Sequence, residues 1–152
     1  MKDEIEIYCD GGCRGNQKDE NVGGWGVVLI YKDIVKEISG NAVNTTNNKM
    51  ELTAAIVGLS AIKNKSISTK VYLDSSYVLD GITKWINNWI KTDFIGANKD
   101  PIKNKELWQE LHRIKNEFSD IQFIKVKGHG TNPGNNRADE LCNIEMDKLS
   151  QE

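Results

Sequence analysis

Four carboxylates stand where an enzyme could use them. Asp10 closes the alternating segment Glu4 to Asp10, in which Ile5, Ile7 and Cys9 share one face before Gly11-Gly12, and this pattern predicts a strand entering a turn. Asp74 closes the short apolar segment Val71-Tyr72-Leu73 and is followed by Ser75-Ser76. If those two strands lie parallel and adjacent, as a strand–helix–strand unit prefers, both carboxylates emerge at one edge of the sheet. That edge, at the carboxyl ends of the strands, is where open α/β sheets hold ligands. Glu51 stands at the start of the first helix and Asp139 in the first turn of the last. Each of the four also has an ordinary local use. Asp10 could start a turn, Asp74 could cap a helix, Asn48-x-x-Glu51 fits a capping box, and Asp139 suits a helix dipole. Gathered in one cavity they would raise one another's pKa unless a cation neutralised them. Carboxylate and water oxygens are the ligands magnesium and manganese prefer, so a divalent-metal site is the chemistry this set could support. Glu20 and Glu140 have no comparable placement and read as surface charge.

The elements that must position these groups follow from periodicity. Gly24 to Tyr31 and Ile34 to Val43 are β-branched and apolar, so three strands in a meander are expected. From Met50 the period becomes helical, with Leu52, Ala55, Ile56, Leu59 and Ile62 as the apolar stripe. A helix over Thr83 to Ile90, a loop from Lys91 to Lys103 and a helix from about Lys105 to Phe118 come next. Ile121 to Val126 reads as the last strand, Gly128-His129-Gly130 breaks it, and Asn136 to Leu149 reads as a terminal helix. Pro101 and Pro133 read as loop punctuation. Three strands, helix, strand, helices, strand, helix make an α/β fold, α+β by a stricter label: a mixed sheet flanked by helices.

Length and composition exclude several alternatives. A chain of 152 residues has room for one domain over 1–152. No apolar run approaches the roughly 20 residues of a bilayer span, and Met1-Lys2-Asp3-Glu4 is no signal peptide; a cytoplasmic protein without membrane contact is expected. Cys9, Cys13 and Cys142 are odd in number and form no CxxC pair, so they read as buried small hydrophobes rather than a metal or redox set. Net charge is −2, which argues against non-specific polyanion binding. Yet residues 82–128 carry 9 basic and 6 acidic side chains, a mildly basic middle between acidic ends.

The stretches CDGGCRGN (9–16), TTNNKMELTAAIVGL (45–59), YLDSSYVLDGITKWINNWIK (72–91), DPIKNKELWQEL (100–111) and VKGHGTNPGNNRADELC (126–142) resemble, in order and over nearly the whole chain, a type 1 ribonuclease H of the ribonuclease HI family. The resemblance implies a ribonuclease H-like fold with a five-stranded mixed sheet. It also implies a metal-dependent endonuclease that cuts the RNA strand of RNA–DNA hybrids and leaves 5′-phosphate and 3′-hydroxyl ends. Carried over by position, the family's carboxylates fall on Asp10, Glu51, Asp74 and Asp139, the same four reached above, and its catalytic-loop histidine on His129. Two magnesium ions, roughly 3.5–4 Å apart, would activate water and stabilise the leaving 3′-oxygen, with Asp10 bridging them and manganese a substitute. His129 would handle a proton or assist product departure.

The same resemblance places Cys13, Asn16, Asn47 and Asn48 in the groove and Thr46 near a DNA phosphate, with Gly11, Gly12 and Ser76 among the substrate-binding positions. It places Trp89, and less directly Trp85, against the DNA-side channel. Lys91, Lys99, Lys103 and Lys105 would form a basic handle. Three departures from the family pattern are visible. A polar stretch, Gln17 to Val22, replaces a Pro-Gly-rich turn, Ser76 replaces a glutamine, and Asp93 and Asp100 dilute the handle. Weaker hybrid binding is the expectation. The rivals are a non-catalytic hybrid-binding module, which the four carboxylates argue against, and a resolvase or integrase core, which would lack VKGH, ITKWINNW and NNRADELC. A monomer without an appended hybrid-binding domain is expected.

Overall fold

The computed structural model describes residues 3–15, 21–126 and 132–150 of the chain. Among them, β1 (Glu4–Arg14), β2 (Val22–Tyr31) and β3 (Ile34–Val43) form an antiparallel meander. On the other side of β1, β4 (Ser68–Leu73) and β5 (Ile121–Lys125) add in parallel, giving a five-stranded mixed sheet in the order β3-β2-β1-β4-β5. β1 and β4 are therefore the adjacent parallel pair that the placement of Asp10 and Asp74 requires.

The two-residue period of β1 divides its side chains between two cores. Ile5, Ile7 and Cys9 face the larger, where Leu52, Ala55 and Leu59 of α1 (Asn47–Ser60) pack with Val27, Leu29, Val71 and Leu73. Tyr8 faces the smaller, formed with Val28 and with Ala138 and Leu141 of α5 (Pro133–Ser150). Its ring stacks on Tyr72 with centroids 4.7 Å apart. α2 (Ser76–Asp80), one π-helical turn (Gly81–Trp85) and α3 (Ile86–Lys91) form a continuous run, and α4 (Lys105–Lys115) lies against α1. Val78, Ile82, Ile86, Trp108 and Leu111 carry these helices into the larger core.

Several local expectations change, each for a physical reason. β1 does not stop at Gly11-Gly12, because residues Gly11 to Arg14 continue to pair with Trp25 to Val22. Asp10 thus lies inside a strand rather than at its end, and Asp74 falls just beyond Leu73. α1 starts at Asn47, before Met50, since Thr46 caps it: its Oγ1 accepts from the Lys49 N–H at 3.1 Å. Asn48 is then inside the helix, the capping box with Glu51 does not form, and the Glu51 carboxylate is free for other work.

α5 begins at Pro133, ahead of Asn136. Asn132 is its cap, with Oδ1 accepting from the Asn135 N–H at 3.1 Å, and proline is well suited to a first helical position that needs no donor. Asp139 consequently lies past the first turn, where the helix dipole has faded. The segment 83–90 is not one regular helix but a π-turn followed by α3, and α4 ends at Lys115, short of Phe118. Cys9 and Cys13 share one face of an extended strand about 13 Å apart, too far to pair. Among the described residues no helix is long and apolar enough to cross a membrane.

Candidate active site

Two close contacts at glycine bring the helices onto the sheet where the carboxylates stand. A Cβ at Gly11 would lie 2.5 Å from the Met50 carbonyl carbon and 2.6 Å from the Glu51 nitrogen. Only glycine lets the start of α1 rest on β1 there, and Glu51 is carried to Asp10 by that contact. Gly26, the partner of Asp10 across β1 and β2, does the same for α5. A Cβ at Gly26 would lie 2.4 Å from the Ala138 carbonyl oxygen, so α5 lies directly on β2 and Asp139 reaches Asp10. Arg14 ties the end of β1 to the same helix, donating to Asp147 at 2.6 Å and Asn143 at 2.8 Å.

Asp10 is only 8% exposed and hydrogen bonds with Asp139 and Glu51. Burial first, then the Glu51 charge and the bond to Asp139, push its pKa up to about 9 against the pull of the Gly11 N–H. Glu51 is pushed up to about 7, again by burial first. Its bonds to Asp10, the Gly11 N–H and Ser75 oppose the rise, while the Asp74 charge adds to it. Protons on such a set belong to the group rather than to one residue. Asp74 stands at the more open edge with Lys125 beside it. The Lys125 Nζ is 3.9 Å from Asp74 Oδ1 and donates to the Asp74 backbone carbonyl. The neighbouring thiols are pushed up by burial and by these carboxylates, Cys142 to about 12 and Cys9 further, which keeps both protonated and unreactive.

Among the described residues no three His, Cys, Asp or Glu side chains meet at the spacing of a metal-bound set. The carboxyls approach pairwise, Asp10 with Glu51 and Asp10 with Asp139, with a proton available between them. The donors are all oxygen, and the two raised pKa values come from burial first and then from neighbouring carboxylate charge, Glu51 and Asp139 on Asp10 and Asp74 on Glu51. Oxygen donors with excess negative charge suit magnesium or manganese, so the residues fit such an ion, which would take the place of the shared proton.

The proposed substrate residues fall into two groups. Gly12 and Asn47 adjoin, since a Cβ at Gly12 would lie 3.9 Å from Asn47 Oδ1; Gly11 and Cys13 flank Gly12 on β1, and Thr46 and Asn48 flank Asn47 at the start of α1. The exposed Ser76 opens α2, close after Asp74. Farther along that helical run Trp85 and Trp89 are tilted against each other at 6.0 Å. Trp85 is 41% exposed, whereas Trp89 also packs on Trp108 at 5.1 Å and Phe94 at 6.4 Å. Trp85 thus offers the more open ring and Trp89 the more tightly packed one. Lys91, Lys99 and Lys103 are exposed and Lys105 is half-buried. Asn16 and His129 lie outside the described residues.

Two partners of the site escaped the sequence reading. Ser75 caps α2 by accepting from the Val78 N–H at 3.2 Å and also bonds Glu51; nothing in its spacing marks the second contact. Lys125 could have been found from the β4–β5 register, which sets it opposite Leu73.

Comparison with known proteins bears directly on this arrangement. The RNase H family model matches residues 2–146. A ribonuclease H of Ruthia magnifica subsp. Calyptogena magnifica is 47% identical over 147 residues, covering 97% of this chain and 98% of that protein. One from Clostridium botulinum strain Hall is 45% identical over 148 residues, with coverages of 97% and 98%. Among solved structures, LC9-RNase H1, described as a type 1 RNase H with the type 2 active-site motif, superposes with a TM-score of 0.81 at 27% identity, over 97% of this chain and 74% of that one. LC11-RNase H1 in complex with an RNA/DNA hybrid gives 0.71 at 28% identity, over 97% and 99%. With the mixed sheet, the parallel β1–β4 pair and the gathered carboxylates in place, the chain belongs to the ribonuclease H family.

Proposed function

We propose that this ribonuclease H hydrolyses the RNA strand of RNA–DNA hybrids internally, by two-metal-ion catalysis, leaving 5′-phosphate and 3′-hydroxyl ends. The observation that carries the reading is the pairing of Asp10 with Glu51 and with Asp139, near Asp74, just beyond the point where the parallel pairing of β1 and β4 ends. That a relative of the same fold holds an RNA/DNA hybrid supports the choice of substrate.

Asp10, Glu51, Asp74 and Asp139 would hold magnesium, with manganese a substitute. Bound there, the metal supplies an activated water and charge neutralisation at phosphorus. The water oxygen bonds to phosphorus as the bond to the 3′-oxygen breaks, so the proton lost by water and the proton gained by the 3′-oxygen balance. Asp10, ionised once its proton is displaced, would hold the cation through its carboxylate oxygens. Gly11 and Ser75 keep Glu51 oriented through the bonds described above. His129 is assigned the proton or product step by family position. Cys13, Asn16, Asn47, Asn48 and Ser76 would meet the minor groove, where 2′-hydroxyls mark the RNA strand. Thr46, Trp85, Trp89 and Lys91 would meet the DNA strand. The reading takes residues 1–152 as one catalytic domain working as a cytoplasmic monomer, in keeping with free cysteines at positions 9, 13 and 142.

The test is cleavage of an end-labelled hybrid with magnesium or with EDTA, by the wild type and by Asp10→Asn. Magnesium-dependent internal cuts confined to the RNA strand, and lost in the variant by about 100-fold or more, are expected. A wild type that binds the hybrid and leaves it whole with either metal would overturn the reading.

A further inference from the structure

Lys125 puts a positive charge at the edge of the carboxylate group. It lies just outside the stretches that carry the family resemblance, the last of which begins at Val126. The β4–β5 register sets it opposite Leu73, the last residue of β4. Beyond Leu73 the backbone turns from strand to helix. The Leu73 carbonyl still accepts from the Val126 N–H at 2.9 Å, and the Ser75 carbonyl accepts from the Leu79 N–H at 3.1 Å as α2 begins. Between those two, the Asp74 carbonyl accepts from Lys125 Nζ. A carbonyl at such a turn needs a donor of its own when neither the sheet ladder nor the helix supplies one.

The same ammonium stands 3.9 Å from Asp74 Oδ1, beyond hydrogen-bond length. Lys125 is therefore anchored by backbone and not by the carboxylate. Asp74 can take another cation without releasing the lysine, so the positive charge stays beside whatever the carboxylate holds. The lysine and aspartate side chains are 44% and 38% exposed, and water screens such a pair without cancelling it. The turn has a second link into the site, because Ser75, the next residue, bonds Glu51.

We propose that Lys125 is a positioning residue that acts through Asp74. It fixes the turn from β4 to α2 by its bond to backbone, and its charge opposes a divalent cation at that edge, weakening the hold of the hybrid-free protein on metal. This rests on the metal-dependent reading above. Charge is the property that matters: an uncharged side chain of similar length could pack on the turn but could not repel a cation. Lys125→Met removes the charge and keeps an unbranched stem, whereas Lys125→Arg keeps both charge and donor.

The experiment titrates the protein with magnesium and with manganese in the absence of hybrid, by calorimetry and by the rise of the melting midpoint with metal concentration. Lys125→Met is expected to bind either ion about 3–10-fold more tightly at low salt, the weight of one partly screened charge against a divalent ion. Lys125→Arg is expected to stay within about two-fold of wild type, since its charge is the same. In an Asp74→Asn background the gain from Lys125→Met should fall below about two-fold, because the ligand beside the lysine is gone. In EDTA both Lys125 variants should melt within about 2–4 °C of wild type, the scale of one exposed pair. Equal or weaker metal binding by Lys125→Met would overturn the proposal. So would an equal gain in Lys125→Arg, or a gain that survives Asp74→Asn undiminished. A wild type that binds neither ion and does not cut the hybrid sinks the functional reading and this inference with it. A wild type that binds metal and cuts, with its affinity unmoved in Lys125→Met, sinks this inference alone.

Discussion

Asp10 on β1 and Asp139 on α5 are hydrogen bonded carboxyl to carboxyl, and burial together with Glu51 and that bond pushes Asp10 up to about 9. The ordinary values are 3.8 for Asp10 and 4.5 for Glu51, which itself rises to about 7. Between the ordinary and raised values the folded state holds more protons than the unfolded one, so stability falls as pH rises. The stabilisation is complete below pH about 4 and is gone above about 9. In EDTA the melting midpoint of the wild type should therefore decline from pH about 5 to about 9. Asp10→Asn, melted in EDTA near neutral pH, should stand about 2–4 °C or more higher, the shift expected per kcal/mol in a domain of this size. A midpoint indifferent to pH, or a destabilised variant, would contradict the electrostatic account.

The contact of Gly11 with α1 makes a second prediction. In Gly11→Ala the new methyl would lie 2.5 Å from backbone of Met50, and backbone cannot turn aside as a side chain can. α1 must shift, carrying Glu51 with it. Overpacking of this kind costs about 1–3 kcal/mol, whereas a displacement of about 1 Å at a reacting centre costs about 100-fold in rate. Cleavage should fall far more than the melting midpoint does. Proportionate losses of both would mean that Glu51 is not placed by this contact.

What the sequence disclosed and what it concealed follow one division. Alternation in Glu4 to Asp10 and the apolar run before Asp74 report side-chain faces, and from these the shared edge of Asp10 and Asp74 was legible. The continuation of β1 to Arg14 was not, because Gly11 and Gly12 have no side chains to alternate and the pairing with Gly24 and Trp25 is made by backbone. Thr46 and Asn48 are both fair caps by type, and only the chain's approach to α1 chose Thr46. Pro133 was ambiguous in the same way, since proline serves a loop or a first helical position equally. The bond from Asn104 to Tyr77 spans separate elements and had no local signature.

Glu145 supplies a third prediction, away from the carboxylate group. It is 6% exposed on α5. Its carboxylate accepts from Ser39 Oγ at 2.6 Å, Asn41 Nδ2 at 2.9 Å and Lys148 Nζ at 3.0 Å, fastening α5 to the edge strand β3. The Ser39 bond above all holds its pKa below the usual 4.5. This stabilisation is present above pH about 4.5 and is lost as pH falls through the lowered value. Glu145→Gln should cost about 1–2 kcal/mol near neutral pH, the scale of hydrogen bonds to a charged group, and much less in acid. Urea unfolding at the two pH values measures the difference. A cost that does not depend on pH would show that packing, not charge, fastens the helix.

The lysine-bearing segment gives the last prediction. Asp93 and Asp100 are exposed among Lys91, Lys99, Lys103 and Lys105, and opposing charges there should weaken attraction to phosphate. Asp93 has φ 54°, a conformation that aspartate and asparagine adopt more readily than lysine. Neutralisation is therefore cleaner than reversal. The local bonds of Asp100 are backbone ones, its N–H to Asn98 Oδ1 at 3.2 Å and its carbonyl to the Gly96 N–H at 2.8 Å, so Asp100→Asn leaves them in place. The double variant Asp93→Asn, Asp100→Asn should bind an RNA–DNA hybrid about 3–10-fold more tightly at low salt. The gain should vanish near 1 M salt, where charges are screened beyond about 3 Å. Fluorescence anisotropy with a labelled hybrid, titrated at both salt concentrations, measures it. Equal affinity at low salt would mean that the segment does not meet the hybrid's phosphates, and a gain that survives high salt would point to a contact other than charge.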